Sequence, residues 1–233
     1  MKFEHMETVN AIVSGTYLPR MFRARQVFPR PALEVVRIPE ILRGELENGG
    51  VAERIKPGMS IAITAGSRMI ANSVTILRGI VRFVRDQGAS PFLIPAMGSH
   101  GGATAEGQKD MLATLGITEE TVGCPIRSSM ETVCIGKNDE GVDSYMDRYA
   151  YEADGIIIFN RIKPHSGFRG KYESGLIKMM AVGLGKQYGA EVLHSGGDET
   201  LAKNIYLFGK AILEHSKVLF AVGVLENAYD ETA

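Results

Sequence analysis

Asp154-Gly155-Ile156-Ile157-Ile158-Phe159 runs straight into Asn160-Arg161-Ile162-Lys163-Pro164-His165, and the architecture is read outward from this stretch. Its apolar residues follow one another without alternating with polar ones, the pattern of a strand covered on both faces in a parallel sheet. Toward the N-terminus, residues 60–64 form a short apolar run after Lys56-Pro57-Gly58, and residues 92–96 form another. Toward the C-terminus, residues 218–224 repeat the pattern. Helical spacing separates these runs. Ile70, Val74, Leu77, Ile80, Val81 and Val84 recur three and four apart, with Gly88 as the stop signal. Residues 104–115 read as a helix closed by Gly116. Further helices are expected over 185–193 and 199–214, after an apolar segment at 176–184.

Strands that alternate with helices need crossover connections, so the expected fold class is α/β: a doubly wound, mostly parallel sheet with flanking helices. From Thr118 and Thr121 the chain is less regular, and residues 126–151 alternate weakly around Lys137-Asn138-Asp139. That part reads as a small irregular β excursion from the main sheet. Residues 1–55 hold Pro19, Pro29, Pro31 and Pro39 and read as an N-terminal arm or edge, with a short strand at 33–38. Residues 56–233 form the expected α/β domain. Ligands of such sheets bind beyond the carboxyl ends of the strands. Polar, glycine-bearing segments follow strands at 65–68, 98–102 and 161–170, and these mark the expected site.

Composition narrows the function classes. A chain of 233 residues with 45% hydrophobic side chains can bury a sizeable core, and a net charge of -1 gives no bulk attraction to nucleic acid. No apolar run approaches the roughly 20 residues of a bilayer helix, so no membrane partner is expected. The N-terminus lacks the apolar centre of a secretory signal, which points to the cytoplasm. Cys124 and Cys134 are too few for a disulfide framework and form no Cys-x-x-Cys pair, so both read as partly buried thiols.

The histidines carry more. His5 belongs to the terminal arm and His215 ends a helix, where an imidazolium favours the carbonyl end of the dipole. His100 and His165 lie in post-strand loops, and His194 follows a helix. An imidazole titrates near physiological pH and suits proton transfer. Gly98-Ser99-His100-Gly101-Gly102 reads either as a plain glycine-rich turn or as a loop exposing His100, with the next helix offering free N–H groups to an anion. Lys178, within Leu176-Ile177-Lys178-Met179-Met180, is either a snorkelling helix lysine or a desolvated amine fit to be a covalent anchor.

Taken in order, Gly98-Ser99-His100-Gly101-Gly102, Lys163-Pro164-His165, Glu173-Ser174-Gly175-Leu176-Ile177-Lys178-Met179-Met180, Gly183-Leu184-Gly185-Lys186 and His194 resemble the nickel-dependent lactate racemase family, from about residue 60 to the end. The resemblance implies a nickel-pincer nucleotide as cofactor and a small α-hydroxy acid as substrate. It implies that Lys178 anchors the cofactor, that His194 ligates nickel, and that His100 and His165 are the acid/base pair. It also places Ser67, Arg68, Gly98 and Ser99 against the cofactor or the substrate carboxylate. Two departures stand out: Ala65 occupies the position of a family acidic residue, and the interval from His165 to Lys178 is longer than in lactate racemase, which suggests a different substrate pocket. Residues 56–233 would correspond to the family's N-terminal, cofactor-binding half, without the second domain that closes over substrate. The rival readings are a non-catalytic nucleotide-binding module and an unrelated α/β enzyme with Lys178 as a Schiff-base lysine. A homo-oligomer is compatible with the sequence.

Overall fold

The structure, a computed structural model, describes residues 6–17 and 19–233; His5 lies outside the described residues. The apolar runs form strands β1 (Ser60–Ala65), β2 (Ser90–Pro95), β5 (Gly155–Arg161) and β6 (Val218–Val224), with β3 (Thr132–Lys137) and β4 (Asp143–Asp147) between them. The first four make one parallel sheet in the order β2-β1-β5-β6, and β3 and β4 pair as a separate antiparallel hairpin. This confirms the α/β class and the β excursion.

Helices α1 (Met6–Val13), α2 (Ile38–Asn48), α3 (Ser73–Asp86), α4 (Ala105–Thr114), α5 (Glu119–Val122), α6 (Arg148–Glu152), α7 (Leu176–Lys178), α8 (Lys186–His194) and α9 (Leu201–His215) fill the intervals. Successive strand residues point to opposite faces. Ile61, Ile63, Leu93, Ile157 and Phe159 accordingly enter one core layer with Leu77, Ile80 and Val84 of α3. Ala62, Phe92, Ile94, Ile156 and Ile158 enter the other, against Ala150 of α6, Met179, Met180 and Ile212 of α9. Both faces are covered, so a polar residue there needs a partner within the sheet, as Thr64 has where its hydroxyl accepts the Phe159 N–H at 2.9 Å. The uninterrupted apolar runs reflect this.

The expected strand at 33–38 is not formed. Val35–Arg37 is a 3₁₀ turn that leads into α2. Pro39 sits in the first turn of that helix, where a missing N–H costs nothing and the fixed φ is already helical. Ile38, Leu42 and Leu46, four apart, pack with α3 in the first layer. The arm is therefore shorter than expected: every described residue from 6 to 32 is exposed, whereas residues 38–55 contribute Ile38, Leu46 and Ile55 to the core. The irregular start at Thr118 is the helix α5, whose Thr118 and Thr121 side chains cap each other's backbone N–H groups. Cys124 is buried, which pushes its thiol up to about 11, but Cys134 is exposed on β3. Among the described residues no helix is long and apolar enough to cross a membrane.

Chain order across the sheet sets where a ligand can enter. From β1 the chain steps outward to β2, then returns to the other flank of β1 to lay down β5 and β6. Connections leave β1 and β5 in opposite directions, and a crevice opens between them at the carboxyl ends.

Candidate active site

A cleft of about 830 Å³ occupies that crevice. Gly66, Ser67 and Arg68 reach it after β1, Ser99 and His100 after β2, and Asn160, Arg161, Lys163 and His165 from the end of β5 onward. Lys178 and Met179 line its floor, and Gln187, Glu191 and His194 come from α8. Of the residues expected at a site, His100, His165, Lys178, His194, Ser67, Arg68 and Ser99 share this one cleft. Gly98 does not line it. It is buried beneath the loop with φ +60, a left-handed conformation that glycine adopts without strain, and its N–H reaches Gly183 O at 3.3 Å.

The imidazoles are held by different partners, which fixes what each ring can do. His194 Nδ1 lies 2.6 Å from Ala190 O. A carbonyl only accepts, so Nδ1 carries the proton and the Nε2 lone pair is free for a metal. His165 Nδ1 accepts the Gly167 N–H at 3.0 Å, so its neutral ring carries hydrogen on Nε2. The same ring stacks on Phe168 at 4.2 Å, and the loop is clamped where the His165 N–H donates to Glu173 Oε2 at 2.9 Å. His100 Nδ1 stands 2.5 Å from Ser67 Oγ. A hydroxyl both donates and accepts, so that contact serves His100 in either tautomer.

Both loop histidines are pushed below the ordinary imidazole value of 6.5. For His100 the cause is burial, reinforced by Arg68 and Lys178; for His165 it is burial with Lys178 and Lys163. Lys178 is half-buried beside Met179 and Met180, 5.9 Å from the Phe168 ring centroid. Burial and the cations of Lys163 and Arg68 push its amine below the usual lysine value, which favours the nucleophilic form. After α7, residues Met179–Gly183 form one π turn, closed by the Leu184 N–H to Met179 O at 2.9 Å. Such turns recur at functional sites.

Sequence reading missed Arg161. Its guanidinium lines the cleft and pairs with Glu226, whose side chain is only 5% exposed and also accepts the Ala71 N–H at 2.6 Å. The signal was its place at the end of β5; its partner lies far along the chain. Arg68, Arg161, Lys163 and Lys178 make the cleft strongly cationic against the single carboxylate of Glu191. The expected anion seat at the start of α4 is absent from the cleft lining, and Thr104 caps that helix through the Gly107 N–H. Among the described residues no three His, Cys, Asp or Glu side chains gather as a metal site. With Nδ1 bound to Ala190 O, His194 has one ring nitrogen, Nε2, left to offer as a donor.

Comparison with known proteins bears on the family and the fold. Residues 11–195 match the lactate racemase N-terminal domain family. The fold is similar to the lactate racemase apoprotein from Thermoanaerobacterium thermosaccharolyticum, with a TM-score of 0.60 and 17% sequence identity over 84% of this chain. The chain covers 50% of that protein's length. No curated protein matches the sequence.

Proposed function

Because the chain belongs to the lactate racemase N-terminal domain family, we propose that it is the cofactor-binding part of an α-hydroxy acid racemase or epimerase that works by proton-coupled hydride transfer. The observation that carries the proposal is the meeting of His100, His165, Lys178 and His194, delivered by separate elements, in one cationic cleft.

The donor set fits a nickel-pincer nucleotide. His194 would ligate the metal through Nε2, and the depressed Lys178 amine would hold the organic group covalently. Arg68, Arg161 and Lys163 supply charge-assisted hydrogen bonds for its phosphate and for the substrate carboxylate, and Ser67 and Ser99 form the wall beside them. When bound, the cofactor supplies a reversible acceptor for the hydrogen on the substrate Cα.

The remaining chemistry belongs to the two loop histidines. When Ser67 Oγ accepts from His100 Nδ1, the His100 Nε2 lone pair is ready to take the substrate hydroxyl proton. His165, with its proton on Nε2, faces the same cleft as a donor. For one enantiomer His100 takes the hydroxyl proton; for the other His165 does so, once its ring carries its proton on Nδ1 and gives up the Gly167 N–H. Each positioned group supplies on the order of 10²- to 10⁴-fold in rate.

The test is to produce the chain together with the cofactor-synthesis enzymes, measure intact mass and nickel, and follow interconversion of enantiomers by chiral chromatography across a panel of α-hydroxy acids. The expected result is a covalent adduct at Lys178, about one nickel per chain, and racemisation or epimerisation of at least one acid. A chain that carries neither nickel nor adduct overturns the proposal. A loaded chain that interconverts no hydroxy acid restricts it to a binding module.

A further inference from the structure

Beneath the cleft lies a buried cation that takes no part in the chemistry proposed for the histidines. Lys186 has a side chain with no exposed surface and a backbone φ of +54, a left-handed conformation that is strained for a residue with a Cβ. Burying an ammonium costs several kcal/mol unless its donors are met. Here Nζ donates to Pro95 O at 2.7 Å and to Gln108 Oε1 at 2.6 Å, with Asp147 Oδ2 at 3.4 Å. Three acceptors and no donor surround the nitrogen, the complement of an ammonium's three N–H groups.

Gln108, also fully buried, passes the arrangement on. Its Nε2 donates to Gly98 O at 2.8 Å and to His100 O at 3.2 Å. The amide has one orientation available: turned over, it would set its NH₂ against the ammonium and its oxygen against two carbonyls. We infer that Lys186 is a positioning residue that orients the Gln108 amide and thereby fixes the loop carrying His100. The inference rests on the reading of His100 as an acid/base group. Lys186 also faces the buried carboxylate of Asp147, whose Oδ1 caps α6 by accepting the Ala150 N–H at 3.0 Å, but that ion pair alone leaves the shorter contact to Gln108 Oε1 unexplained.

Gln108→Glu is the informative change. It keeps an acceptor oxygen for Lys186 but removes both donors to the loop. The readout is the ¹³Cε1–¹H spectrum of the histidines in the unloaded full chain, assigned with single His→Gln variants, beside kinetics of the loaded chain. The expected result is a folded protein in which the His100 resonance moves while those of His165, His194 and His215 stay, with kcat lower by about 10²-fold at nearly constant KM, the cost of misplacing a catalytic group. Lys186→Met should reproduce this signature if it folds; if it does not, Gln108→Glu decides alone. A folded Gln108→Glu protein whose His100 resonance is unmoved, or in which every histidine shifts together, overturns the inference. The spectrum reports on the loop even if the wild-type chain racemises nothing, so failure of the proposed activity and failure of the positioning role are told apart.

Discussion

Replacing Glu226 by alanine tests how the cleft is tied to the scaffold. The carboxylate is 5% exposed, accepts the Ala71 N–H at 2.6 Å and pairs with Arg161, itself 20% exposed. The change removes a hydrogen bond to a charged acceptor, typically about 1.5 to 3 kcal/mol. It also leaves a guanidinium without its main partner, and breaking a fully buried pair costs about 3 to 5 kcal/mol. Arg161 retains some water, and Asp230 Oδ1 lies 3.6 Å from it, so the pair is worth less than that full figure. The expected loss is about 3 to 4 kcal/mol, a fall in Tm on the order of 10 °C for a chain of this size. Urea unfolding of Glu226→Ala, Arg161→Met and the double variant measures it. A coupling energy of about 1 to 3 kcal/mol is expected between the two positions. A single-variant loss below about 1 kcal/mol, or a coupling near zero, refutes the claim that Glu226 holds Arg161 at the cleft.

The other expectations rest on the same geometry. Under limiting amine-directed acylation near neutral pH, Lys178 is modified ahead of exposed lysines because its depressed pKa leaves more free amine; peptide mass mapping that finds it among the slowest contradicts this. His100 and His165 titrate below 6.5 by NMR. The unfolded chain then binds more protons than the folded one just below 6.5, so stability falls as pH drops from that value through the folded pKa values; titration at or above 6.5 reverses the sign. Gly183→Ala costs about 1 to 3 kcal/mol in urea unfolding, because its Cβ would stand 2.7 Å from Ala96 O, a backbone atom with little freedom to retreat; a neutral substitution argues against that close approach. His194→Ala loses nickel and keeps its fold, whereas His100→Ala keeps nickel and loses enantiomer interconversion, and equal nickel loss in both variants disproves the proposed division of roles.

Much of this was legible in the chain itself. Strands β1, β2 and β5 announce themselves because burial on both faces leaves few polar positions, β6 because its run is apolar although Ala221 and Gly223 are exposed, and α3 because its apolar stripe recurs at helical spacing. The loop histidines were legible because they follow such strands, and Lys178 because apolar neighbours surround it in sequence. The helix α2 was obscured by Pro39, which breaks a helix interior but opens a first turn equally well. Lys186 reads as a polar residue after Gly185, and only the tertiary fold shows it enclosed by Pro95, Gln108 and Asp147. The Arg161–Glu226 pair joins residues from two strand ends whose spacing in sequence carries no periodic signal. Ring protonation at His165 and His194 depends on which backbone atom each Nδ1 meets, and that is set by loop geometry alone.

The single π turn at Met179–Gly183 holds one residue more than an α turn would. That surplus phases the helix: it lets Lys178 look into the cleft while Met179 and Met180 remain in the core and Gly183 passes under the His100 loop. Side-chain swaps leave this phasing intact, but deleting one residue here would tighten the turn and rotate everything upstream by about 100° about the helix axis, since 3.6 residues complete one revolution. The segment thus tolerates changes of letter far better than changes of count.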